Sequence, residues 1–187
     1  MPAALPKPAT PPPASTASGV VGKLALRFGV MGGILCAGWM LGLHLTGNNP
    51  FGPKLLLAQL LVPLLAVAAE WRLRQRLAPE KSGIGRALMV GGLVVVVAAL
   101  VSASSVLGLA SGAGEQQLVE LNRKESREIM LAGWQTMPKE KRSPIQEQQQ
   151  LAAIAQWTAT DLAVNVFTKT LLLGLALAVP GGIFFRE

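Results

Sequence analysis

Four long apolar stretches, separated by polar connections, dominate the pattern of hydrophobic and polar positions along the chain. They cover about residues 24–45, 54–71, 87–110 and 167–185. A helix needs about 20 predominantly apolar residues to cross the hydrocarbon core of a bilayer, and the third stretch reaches this length without a charged residue. Because lipid cannot satisfy free backbone groups, such stretches form helices. The pattern predicts an all-α, polytopic membrane protein with four transmembrane helices.

The segment between the third and fourth stretches, about residues 113–160, is polar and nearly balanced in charge. Apolar residues at helical spacing predict one helix over about 115–132. Ser143 and Pro144 suit the N-cap and first position of a second helix, with a break near "TATD" before the fourth stretch. We therefore expect an extracytoplasmic helical hairpin that prolongs the third and fourth membrane helices beyond the bilayer.

The first 18 residues have a different composition from the rest. "MPAALPKPATPPPASTAS" is rich in Pro, Ala, Ser and Thr and has no apolar period. Such a segment buries too little surface to offset its chain entropy. We expect residues 1–18 to be a disordered cytoplasmic tail and residues 19–187 to be the membrane domain.

Basic residues cluster where apolar stretches begin or end, and this decides the expected topology. Short connections rich in Lys and Arg stay on the cytoplasmic side of a membrane. The cluster between the second and third stretches places that connection inside, and the residues before the first stretch place the N-terminus inside. With four passes, both termini are then cytoplasmic, in a bacterial inner membrane. The topology-determining residues are Lys23, Arg27, Arg72, Arg74, Arg76, Lys81 and Arg86.

Composition agrees with this interpretation and argues against several classes of function. The chain is 51% hydrophobic and only 14% charged, against about 25% charged in soluble domains. The net charge is +7, and the basic residues lie at the ends of apolar stretches instead of forming a stripe on a soluble fold. We therefore expect the bilayer as partner, and no nucleic acid. With one cysteine, one histidine, no tyrosine and no paired carboxylates, we expect no catalytic residue, metal or cofactor, and no enzymatic activity.

Small residues at four-residue spacing recur in the apolar stretches. They let helix backbones approach closely in lipid, where no hydrophobic drive brings helices together. Two interpretations stay open, packing within the chain or a face for dimerisation. The candidate helix-packing residues are Gly29, Gly33, Gly38, Gly42, Gly108, Gly112, Gly174 and Gly182.

A few polar residues fall inside or beside the apolar stretches. Lys169, Gln59 and Asn165 are the candidates for an intramembrane polar site. Sixteen uncharged residues follow Lys169 before the terminal charges, so Lys169 is either an interfacial anchor or a buried functional cation. Glu70 is expected to pair with Arg74, one helical turn further on.

Several segments of the chain resemble a known family. The connection "NNPFG", the basic entry into "GRALMVGGLV", the charged "EQQLVELNRKESREIM" and the final "LLLGLALAVPGGIFF" resemble the four-pass membrane family catalogued as domain-of-unknown-function family 4199, found mainly in Bacteroidota. The resemblance covers about residues 20–187, and the chain departs from it in the proline-rich tail and in Pro180. It implies four passes and no assigned catalytic residues. Genes of this family often lie beside membrane glycosyltransferases that use polyprenyl-phosphate sugars.

Two functions remain open. One is a non-catalytic accessory or structural subunit that assembles with itself or with a larger membrane complex. The other is a small transporter or flippase, with a lipid-linked sugar as the substrate that the resemblance suggests. Transport requires polar residues that converge in the middle of the membrane, and the candidates for this are Gln59, the serines of 102–105, Asn165 and Lys169.

Overall fold

The computed structural model describes residues 14–77, 84–138 and 142–184. Within these ranges, all of the regular structure is helical. The elements are α1 (Ala14–Leu45), a 3₁₀ turn (Pro53–Leu55), α2 (Leu56–Gln59), α3 (Leu61–Leu77), α4 (Ile84–Ala113), α5 (Glu115–Thr136), α6 (Pro144–Ala155) and α7 (Ala159–Phe184).

Four stretches of helix are long and apolar enough to cross a membrane. They are Gly19–Leu45, Pro53–Leu77, Ile84–Ala113 and Ala159–Phe184. This confirms the prediction of an all-α protein with four transmembrane helices. Of the predicted N-terminal tail, residues 1–13 lie outside the described ranges, and α1 already begins at Ala14.

Helix α4 lies at the centre of the bundle and packs against α1, α3 and α7. Gly29 of α1 lies beside Val97 of α4, and Gly33 lies beside Val101. Residue numbers therefore increase in the same direction along both helices, which are parallel. Along α7 the order is reversed, because Gly174 lies beside Val95 and Gly182 beside Leu88. The bundle is therefore up-down-up-down, with small residues of α1 and α7 in contact with branched side chains of α4.

The two ends of the bundle differ in chemistry. The end at which α1 finishes and α5 and α6 lie is called here the excursion end. The opposite end, where α3 finishes and α4 starts, is called the basic end. The described basic residues at this end, Arg72, Arg74, Arg76 and Arg86, are exposed, as are Lys23 and Arg27 in the first half of α1. The predicted topology residue Lys81 lies outside the described ranges.

The connection between α4 and α5 differs from the expected hairpin. The chain does not continue from α4 into a projecting helix, because Gly114 adopts φ 97° between the two. A residue with a side chain rarely adopts this conformation, so glycine permits the abrupt change of direction. Helix α5 then packs against the end of α4 and against α6, with Leu118 and Val119 on its buried face.

Helix α6 begins with the predicted capping residues, and the predicted break before α7 is present. Ser143 is the N-cap of α6 and accepts a hydrogen bond from the backbone N–H of Gln146 at 3.5 Å, with Pro144 at the first position. The predicted break near 158–161 is also present, between Ala155 and Ala159. There Asp161 Oδ2 accepts hydrogen bonds from the backbone N–H of Thr158, at 2.8 Å, and from its hydroxyl, at 2.7 Å.

Candidate functional site

The three polar residues singled out by the sequence lie in two different environments. Gln59 is 1% exposed, and its amide donates to the Thr170 hydroxyl at 3.0 Å and to the Val166 carbonyl at 3.5 Å. Asn165 and Lys169 are exposed and line a cavity that Gln59 does not line. Gln59 thus acts as a hydrogen-bonded link between α2 and α7, whereas Asn165 and Lys169 are available to a ligand.

The cavity has a volume of about 290 Å³ and lies at the excursion end. Four parts of the chain line it: residues 51–56, helix α5, helix α7 and Trp157 at the junction between α6 and α7. Phe51 and Leu56 contribute apolar surface from the first, Met130 from the second and Leu162 from the third. The cavity therefore combines an apolar wall with the polar side chains of α7.

Hydrogen bonds hold α5 above the connection that forms one wall of this cavity. The amide of Asn49 donates to Asn122 Oδ1 at 3.0 Å and to Glu125 Oε2 at 2.6 Å. Its own oxygen accepts from the backbone N–H of Phe51 at 3.0 Å. Because Asn49 and Asn122 are both buried, these bonds fix the position of α5 relative to α1 and the connection.

A second contact ties α5 to the junction between α6 and α7. The guanidinium of Arg123 donates to the Trp157 carbonyl from Nε at 3.1 Å and from Nη2 at 2.5 Å. This carbonyl follows the end of α6, where helix carbonyls lack partners and attract a positive charge. Trp134 supports the hairpin further along by donating to Gln150 at 3.2 Å. The hairpin is therefore attached to the bundle at several points.

Glu70 lies inside the bundle, and the prediction that it pairs with Arg74 is wrong. Its side chain is 1% exposed, and neither carboxyl oxygen has a hydrogen-bond partner among the described residues. The expected pairing with Arg74 is absent, since Glu70 points into the bundle and Arg74 is exposed. The apolar pattern of α3 does not show this, because residues 61–69 are apolar on all sides of the helix. Packing alone places Val62, Ala66 and Leu73 on the buried side together with Glu70.

The carboxyl of Glu70 fits between two other helices only because glycines face it. A Cβ atom on Gly91 of α4 would overlap Oε1, and one on Gly181 of α7 would lie 2.7 Å from Oε2. Glu70 is therefore enclosed where α3, α4 and α7 meet. Burial of an unpaired carboxylate is costly, which makes this junction a specific feature of the bundle rather than ordinary apolar packing.

The candidate helix-packing glycines divide into two groups. Gly29, Gly33, Gly174 and Gly182 contact side chains of α4 within the bundle. At the other four positions, a Cβ atom would meet nothing within 4 Å in the described part of the chain. These positions are Gly38, Gly42, Gly108 and Gly112.

The serines of α4 do not form a ligand site with Gln59, Asn165 and Lys169. Ser105 donates to the Val101 carbonyl of its own helix at 2.8 Å. Ser102 is fully buried, and its hydroxyl has no hydrogen-bond partner among the described residues. Over the same part of the chain, no three His, Cys, Asp or Glu side chains lie close enough to hold a metal ion.

The chain was compared with curated proteins, with solved structures and with models of protein families. No curated protein and no solved structure matches the chain. The model of the family described as "Protein of unknown function (DUF4199)" matches residues 27–187, which include all four apolar helices apart from the start of α1. The chain is therefore a multi-pass membrane protein and belongs to the DUF4199 family.

Proposed function

We propose that this protein is a non-catalytic accessory or structural subunit of the bacterial inner membrane, and that it assembles through the open glycine face of α1. The observation that carries the proposal is the contrast within this one helix. Gly29 and Gly33 are covered by α4, whereas a Cβ atom at Gly38 or Gly42 would meet nothing within 4 Å among the described residues. In lipid, glycines at this spacing gain packing energy only when another helix lies on them.

The surface around Gly38 and Gly42 has the shape of a helix-binding groove. Ile34, Leu35 and Trp39 line it together with the two glycines. The exposed apolar side chains form ridges and the glycines form the floor between them. A transmembrane helix that crosses here would bring its backbone close to α1, which is the geometry that small residues allow.

A second copy of the same chain is the occupant that we propose. The groove is self-complementary, because two copies of α1 related by a two-fold axis would place glycine against glycine. The second open pair, Gly108 and Gly112 on α4, offers a further face for a larger complex. Assembly with a copy or with a larger membrane complex therefore uses faces that the bundle itself leaves open.

The alternative is transport, and the positions of the polar residues favour it less. Gln59 is already hydrogen-bonded to Thr170 and Val166, while Asn165 and Lys169 line a cavity at the excursion end. A flippase for a lipid-linked sugar requires these groups to act on one substrate along a path through the membrane. Gln59 is buried and bonded inside the bundle, whereas Asn165 and Lys169 are exposed, and this difference supports the role of a subunit.

The proposed orientation places the basic end in the cytoplasm and the excursion end outside. It rests on the exposed Arg72, Arg74, Arg76 and Arg86 at the basic end and on the tendency of short basic connections to stay inside. Both termini are then cytoplasmic, and α5 and α6 lie on the outer face of the inner membrane.

Cysteine cross-linking in native membranes tests the proposed assembly. Ile34→Cys is made in a Cys36→Ala background, with Leu172→Cys on the exposed side of α7 as the matched control. We expect a cross-linked dimer for position 34 and none for position 172. Replacement of Gly38 and Gly42 by isoleucine should abolish the cross-link. The proposal is wrong if the gently solubilised protein is monomeric, carries no stoichiometric companion and is not cross-linked at position 34.

A further inference from the structure

The cavity beside α7 contains an unpaired positive charge. Lys169 is the charged residue that lines it, and among the described residues its ammonium makes neither a hydrogen bond nor an ion pair. Lys169 belongs to a helix that is apolar enough to cross the bilayer, Ala159–Phe184. A cation at such a position is costly unless water or an anion meets it. We therefore expect the cavity to attract a negatively charged group.

Two neutral polar side chains add to this binding capacity. Asn165 lies one helical turn before Lys169, and Ser126 lines the cavity from α5. Neither side chain makes a hydrogen bond within the described part of the chain. The nearby Asn49, by contrast, is fully engaged with Asn122 and Glu125. The side chains available to a ligand are thus Lys169, Asn165 and Ser126, whereas Asn122, which also lines the cavity, accepts a hydrogen bond from Asn49.

The apolar wall of the cavity indicates what kind of anion fits. Phe51, Met130 and Leu162 line the cavity beside the polar groups, and such a surface gains energy from contact with hydrocarbon and not from contact with a free hydrated ion. Leu56, which also lines the cavity, is 41% exposed. The cavity therefore opens on the apolar outer surface of the bundle, where an acyl chain can leave it.

Size and charge restrict the ligand further. A volume of about 290 Å³ holds a headgroup and the first part of its chains, and the remainder would lie along the exposed surface of the bundle. One lysine balances one negative charge, which matches a phosphodiester and leaves the second charge of a phosphomonoester unpaired. Asn165 and Ser126 can bond hydroxyl groups of the same headgroup.

We propose that this cavity, formed by Lys169, Asn165 and Ser126 with the apolar surface of Phe51 and Leu56, is a binding site for an anionic phospholipid whose phosphodiester headgroup carries hydroxyl groups. Phosphatidylglycerol has this chemistry. A zwitterionic phosphatidylethanolamine brings an additional ammonium towards Lys169 and binds more weakly. The site is independent of the glycine faces on α1 and α4, so the bundle binds lipid whether or not it assembles with a second copy.

Lipid titration of the purified full-length protein, followed by native mass spectrometry, tests the proposal. We expect wild-type protein to retain dioleoyl-phosphatidylglycerol in preference to dioleoyl-phosphatidylethanolamine. Lys169→Met should bind phosphatidylglycerol about tenfold more weakly and lose the preference, since it removes a charge-assisted hydrogen bond. Asn165→Ala should show a smaller loss, about threefold.

Three controls make the result specific. Lys169→Arg keeps the charge and should keep the preference, and Lys124→Gln removes an exposed cation of α5 from outside the cavity and should also keep it. Circular dichroism and gel filtration verify that each variant folds, which we expect for Lys169→Met because it removes a membrane charge and creates none.

The source of the phosphate group is decided by competition with glycerophosphoglycerol, the soluble phosphodiester that phosphatidylglycerol yields when its acyl chains are removed. Failure of millimolar glycerophosphoglycerol to displace the lipid supports a lipid site. Displacement by glycerophosphoglycerol overturns the lipid assignment and leaves a site for a soluble phosphodiester. Equal retention of the two lipids by wild-type protein, or an unchanged preference in folded Lys169→Met, overturns the proposal as a whole.

Discussion

Oε1 of Glu70 in α3 lies beside Gly91 of α4, in the place where the Cβ atom of any other residue would be. On its other side the carboxyl faces Gly181 of α7, where a Cβ would lie 2.7 Å from Oε2. The buried carboxyl and the two glycines therefore depend on each other, and this relationship can be tested by substitution.

Gly91→Ala should destabilise the bundle by about 1–3 kcal/mol, the usual range for overpacking, because the enclosed carboxyl of Glu70 has little room to move. The loss should shrink when Gly91→Ala is combined with Glu70→Ala, since the two residues share one space. Unfolding in detergent measures both effects. Gly92→Ala is the matched control, because a Cβ at Gly92 meets nothing within 4 Å among the described residues. Equal effects at 91 and 92 would contradict the packing described.

The two glycine groups of α1 should respond differently to the same change. Gly29→Ala places a methyl group 2.6 Å from Cβ of Val97 and 2.9 Å from the carbonyl oxygen of Val94, so we expect a loss of about 1–3 kcal/mol in the stability of the monomer. The methyl group of Gly38→Ala would contact nothing within 4 Å among the described residues. This variant should leave the stability of the monomer unchanged while weakening assembly. Unfolding and cross-linking of both variants provide the comparison, and a destabilised Gly38→Ala monomer would argue against an open face.

Asn49→Ala should loosen α5 without disturbing the membrane helices. It removes the bonds to Asn122 and Glu125 and leaves the buried Asn122 without this partner, which costs about 1–3 kcal/mol. Hydrogen exchange should increase in α5 and stay slow in α4. Asn48→Ala is the control, because the side chain of Asn48 bonds Thr46 and Lys54 and makes no hydrogen bond to α5 in the described part of the chain. Unchanged exchange in α5 would show that other contacts hold the helix.

Reporter fusions should establish the orientation. A reporter that is active only outside the cytoplasm should be active when fused after Gly112, at the excursion end, and silent when fused after Lys81. The reason is that the basic connection stays on the cytoplasmic side. The opposite pair of results would reverse the proposed topology.

Cysteine labelling should give the same orientation without a fusion. Glu120→Cys should react with a membrane-impermeant thiol reagent applied to cells with an opened outer barrier, because the side chain of Glu120 is 71% exposed. Leu118→Cys, at a position that is 2% exposed, should stay unlabelled, as should the buried native Cys36. Protection of Glu120→Cys until the bilayer is dissolved would place α5 on the cytoplasmic side.

The sequence by itself determined the features that depend on length and local chemistry. Four apolar stretches imply four helices, because lipid admits no other backbone structure of that length in an isolated segment. Ser143 and Pro144 predicted the start of α6, since an N-cap bond forms between residues three positions apart. The candidate polar residues Asn165 and Lys169 could likewise be selected, because a polar residue among apolar ones is visible in the sequence.

The tertiary structure alone decided which of these residues meet. In lipid the whole surface of a membrane helix can be apolar, so hydrophobicity does not reveal its packed side. The sequence could therefore not distinguish Gly29, covered by α4, from Gly38, which is open. The sequence predicted that Glu70 pairs with Arg74, one turn further along the same helix. Packing of α3 against α4 and α7 instead buried the carboxyl between two glycines. The cavity at Lys169 also arises only when α5 folds back at Gly114, because its walls come from segments far apart in the chain.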